Sequence, residues 1–143
     1  MTVAAILKSK GDRVATTRPD TTIETVAHRL RIEGIGALVV SEDGRRVAGI
    51  ISERDIVRGL AEHGGELLTM PVSVLMTAGV TTCALETTVN QVMAHMTRER
   101  IRHLPVTVEG CLAGIVSIGD VVKHRLDEME TEVQHLRDYI TAH

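Results

Sequence analysis

Residues 14–44, VATTRPDTTIETVAHRLRIEGIGALVVSEDG, lie without a gap on residues 80–110, VTTCALETTVNQVMAHMTRERIRHLPVTVEG, when the chain is slid against itself by 66 positions. Val14/Val80, Thr16/Thr82, Thr21/Thr87, Thr22/Thr88, Val26/Val92, Ile35/Ile101, Leu38/Leu104, Val40/Val106 and Gly44/Gly110 are identical pairs. One deletion in the following turn changes the offset to 65, after which Ala48/Ala113, Gly49/Gly114, Ser52/Ser117 and Asp55/Asp120 continue the match. Self-similarity at a fixed period marks a duplicated supersecondary unit. A unit of about 60 residues buries only about 60% of its unfolded surface and is marginal alone. Two copies packing their sheets around a pseudo-twofold axis are the simplest stable arrangement.

Each copy has the same layout: strand, helix, strand, strand, helix. A short Thr-rich strand precedes Thr21 or Thr87, either of which can cap a helix whose apolar residues Ile23, Val26, Ala27 and Leu30 have helical spacing. Ala37–Val40, a turn at Glu42-Asp-Gly44 and Val47–Ile51 read as a β-hairpin, and a second helix starts at Glu53 or Ile118. The fold class expected is mixed α/β, with copies at 8–66 and 67–126 and a C-terminal helical extension at 127–143. The link runs through Glu62-His-Gly-Gly65 and Pro71–Met76, where a short apolar helix begins.

Composition narrows the function classes. The chain has 143 residues, 43% of them hydrophobic, with one Tyr and no Phe or Trp, so aliphatic residues and Met must fill the core. A formal charge of -3 and the lack of aromatic stacking platforms argue against nucleic acid as the main partner. No apolar run approaches the roughly 18 residues of a membrane span, and MTVAAILKSKG is followed by no cleavage signature, which reads as a cytoplasmic protein. Cys83 and Cys111 lack metal-type spacing and are expected as reduced thiols; Cys83 falls at a cleft edge, where a buried thiol is the default reading and regulatory oxidation the alternative. The seven histidines are scattered, so no metal site is expected. Neither Ser52 nor Ser117 has a nearby His to act as base, and an enzyme is not expected.

The repeated Gly, Ser, Asp pattern of GIISERDIVR and GIVSIGDVVK has two readings. In the first, each serine caps a helix and the aspartate three residues on reaches back, as in a capping box. In the second, the motif holds a ligand: Asp is shorter than the usual Glu or Gln of a capping box, a glycine precedes each cap, and Gly119 stands in the first turn at a cost of about 1 kcal/mol. A helix N-terminus attracts phosphate whereas a carboxylate there repels it. A ribose phosphate satisfies both, its diol donating to Asp55 or Asp120 and its phosphate lying at the helix end beside a basic group. Arg100-Ile-Arg-His103 supplies basic groups in the second copy, where the first has Gly34-Ile-Gly-Ala37, and Arg54 is the only candidate between Ser52 and Asp55.

With GIISERDIV and GIVSIGDVV closing the copies and RHLPV opening the second hairpin, the chain resembles a tandem pair of cystathionine-β-synthase (CBS) domains, of the small bacterial stand-alone kind, from about Val3 to Leu126. The resemblance implies a non-enzymatic sensor with two clefts for an adenine nucleotide. AMP or NAD(H) is favoured, with ADP, ATP and S-adenosylmethionine as alternatives. It implies ribose contacts from Asp55 and Asp120, ribose or phosphate contacts from Ser52 and Ser117, and phosphate contacts from Arg102 and His103. Thr16, Arg18, Ile35 and Gly36 are implied around the second motif's cleft, with the repeat-matched Thr82 and Ile101 in the same binding set. The cleft of Ser117 and Asp120 is expected to be the stronger one. Leu126, Met129, Val133, Leu136 and Ile140 form a heptad-like stripe that either packs on the protein's own body or makes a homodimer, which the resemblance favours. The alternative function is a constitutive interaction module whose motifs are only caps and whose last helix recruits an unknown regulated partner.

Overall fold

Thr22 and Thr88, one residue beyond the threonines expected as caps, start the first helix of each copy. Thr22 Oγ1 accepts from Thr25 N–H at 3.3 Å, and Thr88 Oγ1 from Gln91 N–H at 3.1 Å. Thr21 and Thr87 are committed to the preceding turns: Thr21 N–H donates to the Arg18 carbonyl, and Thr87 Oγ1 accepts from Ala84 N–H. The computed structural model describes residues 1–142, so of the expected extension only His143 lies outside the described residues.

Helix α1 (Val3–Lys10) comes first, and the first copy follows as β1 (Thr16–Thr17), α2 (Ile23–Glu33), β2 (Ala37–Val40), β3 (Gly49–Ser52) and α3 (Glu53–His63). A 3-10 helix (Gly64–Thr69), α4 (Val72–Leu75) and β4 (Thr77–Ala78) form the link. The second copy contributes α5 (Val89–Glu99), β5 (His103–Val108), β6 (Cys111–Ser117) and α6 (Ile118–Ala142). Strand β1 runs parallel to β2, and β2, β3 and β4 are antiparallel neighbours. The second hairpin repeats this: β5 pairs with β6, and Cys83 bridges Val106 in parallel where Thr17 pairs with Val40. Asp43 holds the first hairpin's turn by accepting from Arg45 and Arg46 N–H at 2.8 and 2.9 Å.

The segments ahead of the copies are exchanged, in a register of 69 residues. Val3 N–H donates to Thr87 O and Val89 N–H to Met1 O; Val72 N–H donates to Thr21 O and Ile23 N–H to Met70 O. Helix α1 thus closes the second copy, and the segment 70–76 closes the first. The apolar residues sort accordingly into two clusters. Val3, Ile6 and Leu7 of α1 join Val89, Val92, Met96, Leu104, Val106, Val116 and Val121, while Leu67 and Val72 join Ile23, Val26, Leu30, Leu38, Val40 and Ile51. A helix of eight residues is marginal in isolation, so the helix at 3–10 is fixed by this packing. Among the described residues no helix is long and apolar enough to cross a membrane.

Candidate functional site

Both closing motifs form complete capping boxes. Ser52 N–H and Oγ–H donate to Asp55 Oδ2 at 2.9 and 3.0 Å, and Asp55 N–H donates to Ser52 Oγ at 3.3 Å. Ser117 N–H donates to Asp120 Oδ2 at 2.9 Å and Asp120 N–H to Ser117 Oγ at 3.2 Å. Aspartate, though shorter than the usual Glu or Gln, thus completes the box, the extended backbone at the cap bringing the Ser52 N–H within reach (φ -116°, ψ 164° at Ser52). A correction concerns the glycines before the caps. Gly49 makes room for Met76 and Thr77, and Gly114 for Leu7, so the close approach is made by the exchanged segments of the chain itself. At Gly119 an added Cβ would meet only Ser117 Oγ, at 3.6 Å, so the chain imposes no glycine there.

The first motif opens onto a cavity of about 590 Å³, within the range of small-molecule sites. One wall is Ile50, Ser52, Glu53, Arg54, Asp55 and Arg58, from β3 and the first turns of α3. The second copy contributes Glu99, Arg100, Ile101, Arg102 and His103, from the end of α5 and the start of β5. Thr77, Gly79, Val80 and Thr81 line the cavity from the link and the segment leading to Cys83, and Gly36 completes it. The basic run of the second copy therefore shares a cavity with Asp55, while it also adjoins the second motif, the Arg102 carbonyl accepting from Ile118 N–H and His103 pairing with Ser117. Four guanidinium groups outnumber three carboxylates, a balance that suits an anionic ligand carrying hydroxyl donors.

Two backbone details shape this wall. Arg100 has φ 55° in the left-handed region, where its counterpart in the first copy is Gly34 at φ 66°. A non-glycine residue held there costs about 1–2 kcal/mol, and strain of this kind concentrates at functional sites. Gly36 packs closely on the same wall, a Cβ on it lying 3.2 Å from His103 Cε1, a contact that the imidazole would have to yield to. Burial lowers the His103 pKa below the ordinary histidine value, against the pull of Glu53 and Asp120. His103 is therefore neutral near pH 7, and Arg102 carries the charge of the expected basic pair.

The second motif is arranged differently. Lys10 Nζ donates to Asp120 Oδ2 at 2.6 Å and to the Ile115 carbonyl at 2.9 Å. Burial raises the Asp120 pKa, but the Lys10 and Ser117 hydrogen bonds outweigh it, and the net pKa lies below the ordinary carboxylate value.

Of the residues singled out in the sequence, Gly36, Ser52, Arg54, Asp55, Ile101, Arg102 and His103 share the cavity. Ser117, Gly119 and Asp120 stand at the other motif. Arg18 is exposed beside Asp20 at 3.5 Å, the Thr16 carbonyl accepts from Arg29, and Ile35 packs on the first core. Thr82 lines a separate hollow of about 320 Å³ with Cys83, Thr87, Gln91, Ala94, His95 and Arg98. Burial raises the Cys83 thiol pKa to about 11, which leaves no reactive thiolate for a redox role. Among the described residues no group of three or more His, Cys, Asp and Glu could hold a metal ion. Sequence reasoning missed Ile50, Glu53, Arg58, Thr77, Gly79, Val80, Thr81 and Glu99. Arg58 is four residues from Arg54 on one helix face, a legible signal; Thr77, Gly79, Val80 and Thr81 lie in the link and the start of the second copy, which only the fold brings to Asp55.

Comparison with known proteins agrees with this architecture. The family model described as CBS domain matches residues 7–62 and 72–127. The crystal structure of the CBS-domain containing protein ATU1752 from Agrobacterium tumefaciens is 46% identical, with a TM-score of 0.85, over 87% of this chain and 99% of that one. The mitochondrial CBS domain-containing protein CBSX3 of Arabidopsis thaliana is 36% identical, over 97% of this chain and 71% of its own length. The CBS domain pair of protein MJ0100, solved in complex with 5'-methylthioadenosine and S-adenosyl-L-methionine, is 25% identical with a TM-score of 0.78, over 90% of this chain and 98% of that one.

Proposed function

Because the chain belongs to the CBS-domain family as a tandem pair, we propose that it is a regulatory sensor that binds an adenine nucleotide in the cleft between Asp55 and Arg102 and passes occupancy to a partner protein. The observation that carries this reading is the cavity itself, of about 590 Å³, which is lined by Asp55 together with Arg100 and Arg102 of the second copy. Asp55 Oδ2 is engaged by Ser52, while Oδ1 has no protein donor among the described residues and is free for a ribose hydroxyl. The guanidinium groups supply the phosphate contacts, and Ile50, Ile101 and Val80 offer aliphatic surface for the base. AMP and NAD(H) are the favoured ligands, with ADP, ATP and S-adenosylmethionine next. The complex of the MJ0100 pair with two adenosine compounds supports the ligand class. No catalytic role is assigned, since the family is a regulatory one. The exposed stripe on α6 supports a homodimer, and two unpaired cysteines fit a cytoplasmic location.

Calorimetric titration with AMP, ADP, ATP, NAD, NADH and S-adenosylmethionine tests the proposal. A charged hydrogen bond contributes about 1.5–3 kcal/mol, so Asp55→Ala should weaken the best ligand about 10- to 150-fold. Absence of binding below millimolar by all six would overturn it. It would favour a constitutive interaction module instead, for which the capping boxes, complete without any ligand, are the supporting observation.

A further inference from the structure

Lys10, the last residue of α1, reaches across to the opposite copy and places its ammonium 2.6 Å from Asp120 Oδ2, with the Ile115 carbonyl as second acceptor. The pair is partly shielded, the two side chains being 31% and 22% exposed. The exchanged segments match in a register of 69, which sets Val3 on Val72, Leu7 on Met76 and Lys10 on Gly79. Gly79 lines the Asp55 cavity, and among the described residues no lysine or arginine is ion-paired with Asp55. Two carboxylates in matching places thus have opposite surroundings: one meets an ammonium, the other an open space bounded by a residue without a side chain.

We propose that Lys10 determines which of the two clefts takes a ligand, its ammonium standing in for the ribose hydroxyls at Asp120 and leaving one nucleotide site per chain, at Asp55. This rests on the nucleotide reading given above. A ribose approaching Asp120 must displace a donor already bonded to the carboxylate and to a backbone carbonyl, and must leave the ammonium a new partner. At Asp55 nothing has to move. Losing one charged hydrogen bond corresponds to about a 10- to 150-fold penalty in affinity, enough to leave the Asp120 cleft empty when the Asp55 cleft is full.

The test is calorimetric titration of AMP into the full chain and into Lys10→Ala, Asp55→Ala and the Lys10→Ala/Asp55→Ala double variant, each first shown to unfold cooperatively on heating. The expected result is one tight site in the natural chain, no tight site in Asp55→Ala, where affinity falls about 10- to 150-fold, two tight sites in Lys10→Ala and one in the double variant. If Lys10→Ala cannot be purified folded, Lys10→Ser carries the same comparison. Two sites in the natural chain, or a single site in Lys10→Ala that disappears in the double variant, would overturn the role of Lys10 and leave the nucleotide reading standing. One site in Lys10→Ala with none in the natural chain would uphold Lys10 and overturn the Asp55 cleft. No binding by any variant would overturn both.

Discussion

A Cβ on Gly49 would lie 2.7 Å from the carbonyl oxygen of Thr77, whereas on its counterpart Gly114 the nearest atom is Leu7 Cδ1, also at 2.7 Å. The distances match but the neighbours differ in how they can yield. Leu7 Cδ1 is the end of a flexible side chain; the Thr77 carbonyl belongs to β4, whose pairing with Gly49 and Ile50 fixes it. Overpacking costs about 1–3 kcal/mol where the surroundings cannot relax. Gly49→Ala should therefore lose stability in that range and Gly114→Ala less, measured as urea midpoints at unchanged m-value. An equal or reversed order would show that β4 yields as easily as a leucine tip.

Arg100→Gly should separate stability from binding. The substitution relieves about 1–2 kcal/mol of left-handed strain, partly offset by the greater freedom of glycine in the unfolded chain, about 0.5–1 kcal/mol. A modest gain in thermal midpoint is expected, together with several-fold weaker nucleotide affinity, because the removed guanidinium lines the cavity. A variant less stable than the natural chain would mean that Arg100 makes a packing contribution larger than its strain.

How much of this was legible beforehand follows from what kind of information each feature needs. The repeat, the hairpins and the capping serines Ser52 and Ser117 are local or periodic, and they are readable because a strand or a cap is specified within a few neighbouring positions; the threonine caps are legible only to within one residue, since Thr21 and Thr87 serve the preceding turns. The exchange of α1 and the segment 70–76 was not, because Val3 and Val72 meet backbone carbonyls at Thr87 and Thr21, far away in sequence. That exchange decides the site: it brings Gly79 to Asp55 and Lys10 to Asp120. The basic residues Arg100 and Arg102 are legible as a cluster, whereas their sharing of a cavity with Asp55 is not, because it depends on how the two copies pack. The glycines were recognised as points of close approach, and only the fold identified the visitor as Leu7 or Met76.

The half-buried imidazole of His103 makes a pH dependence. Its pKa in the folded chain is lowered by burial, while in the unfolded chain it returns to about 6.5. Between those two values the unfolded state binds the extra proton, so stability rises with pH. The contribution is fully present above about pH 6.5 and declines as pH falls through that value, levelling off once the folded-state pKa is passed. His103→Gln should flatten this part of the profile of urea midpoint against pH, the other histidines being common to both proteins. Parallel profiles would show that His103 is as solvated folded as unfolded.

The second half of α6 makes the sharpest demand on assembly. From Met129 onward every described residue is exposed, and Met129, Val133, Leu136 and Ile140 are 47–72% exposed along one face. A helical segment of this length is marginal in water without tertiary packing, and an apolar stripe at heptad spacing is the kind of face that pairs with a copy of itself. Among the described residues the last buried one is Val121, so truncation after Leu126 removes nothing described from either core. The truncated protein should keep its nucleotide affinity and a thermal midpoint close to that of the full chain, yet sediment as a monomer where the full chain sediments as a dimer. Leu136→Glu in the full chain should shift the same equilibrium, because each dimer would then bury two unpaired carboxylates. A full chain that is monomeric at high micromolar concentration, or a truncated one that remains dimeric, would remove α6 as the interface.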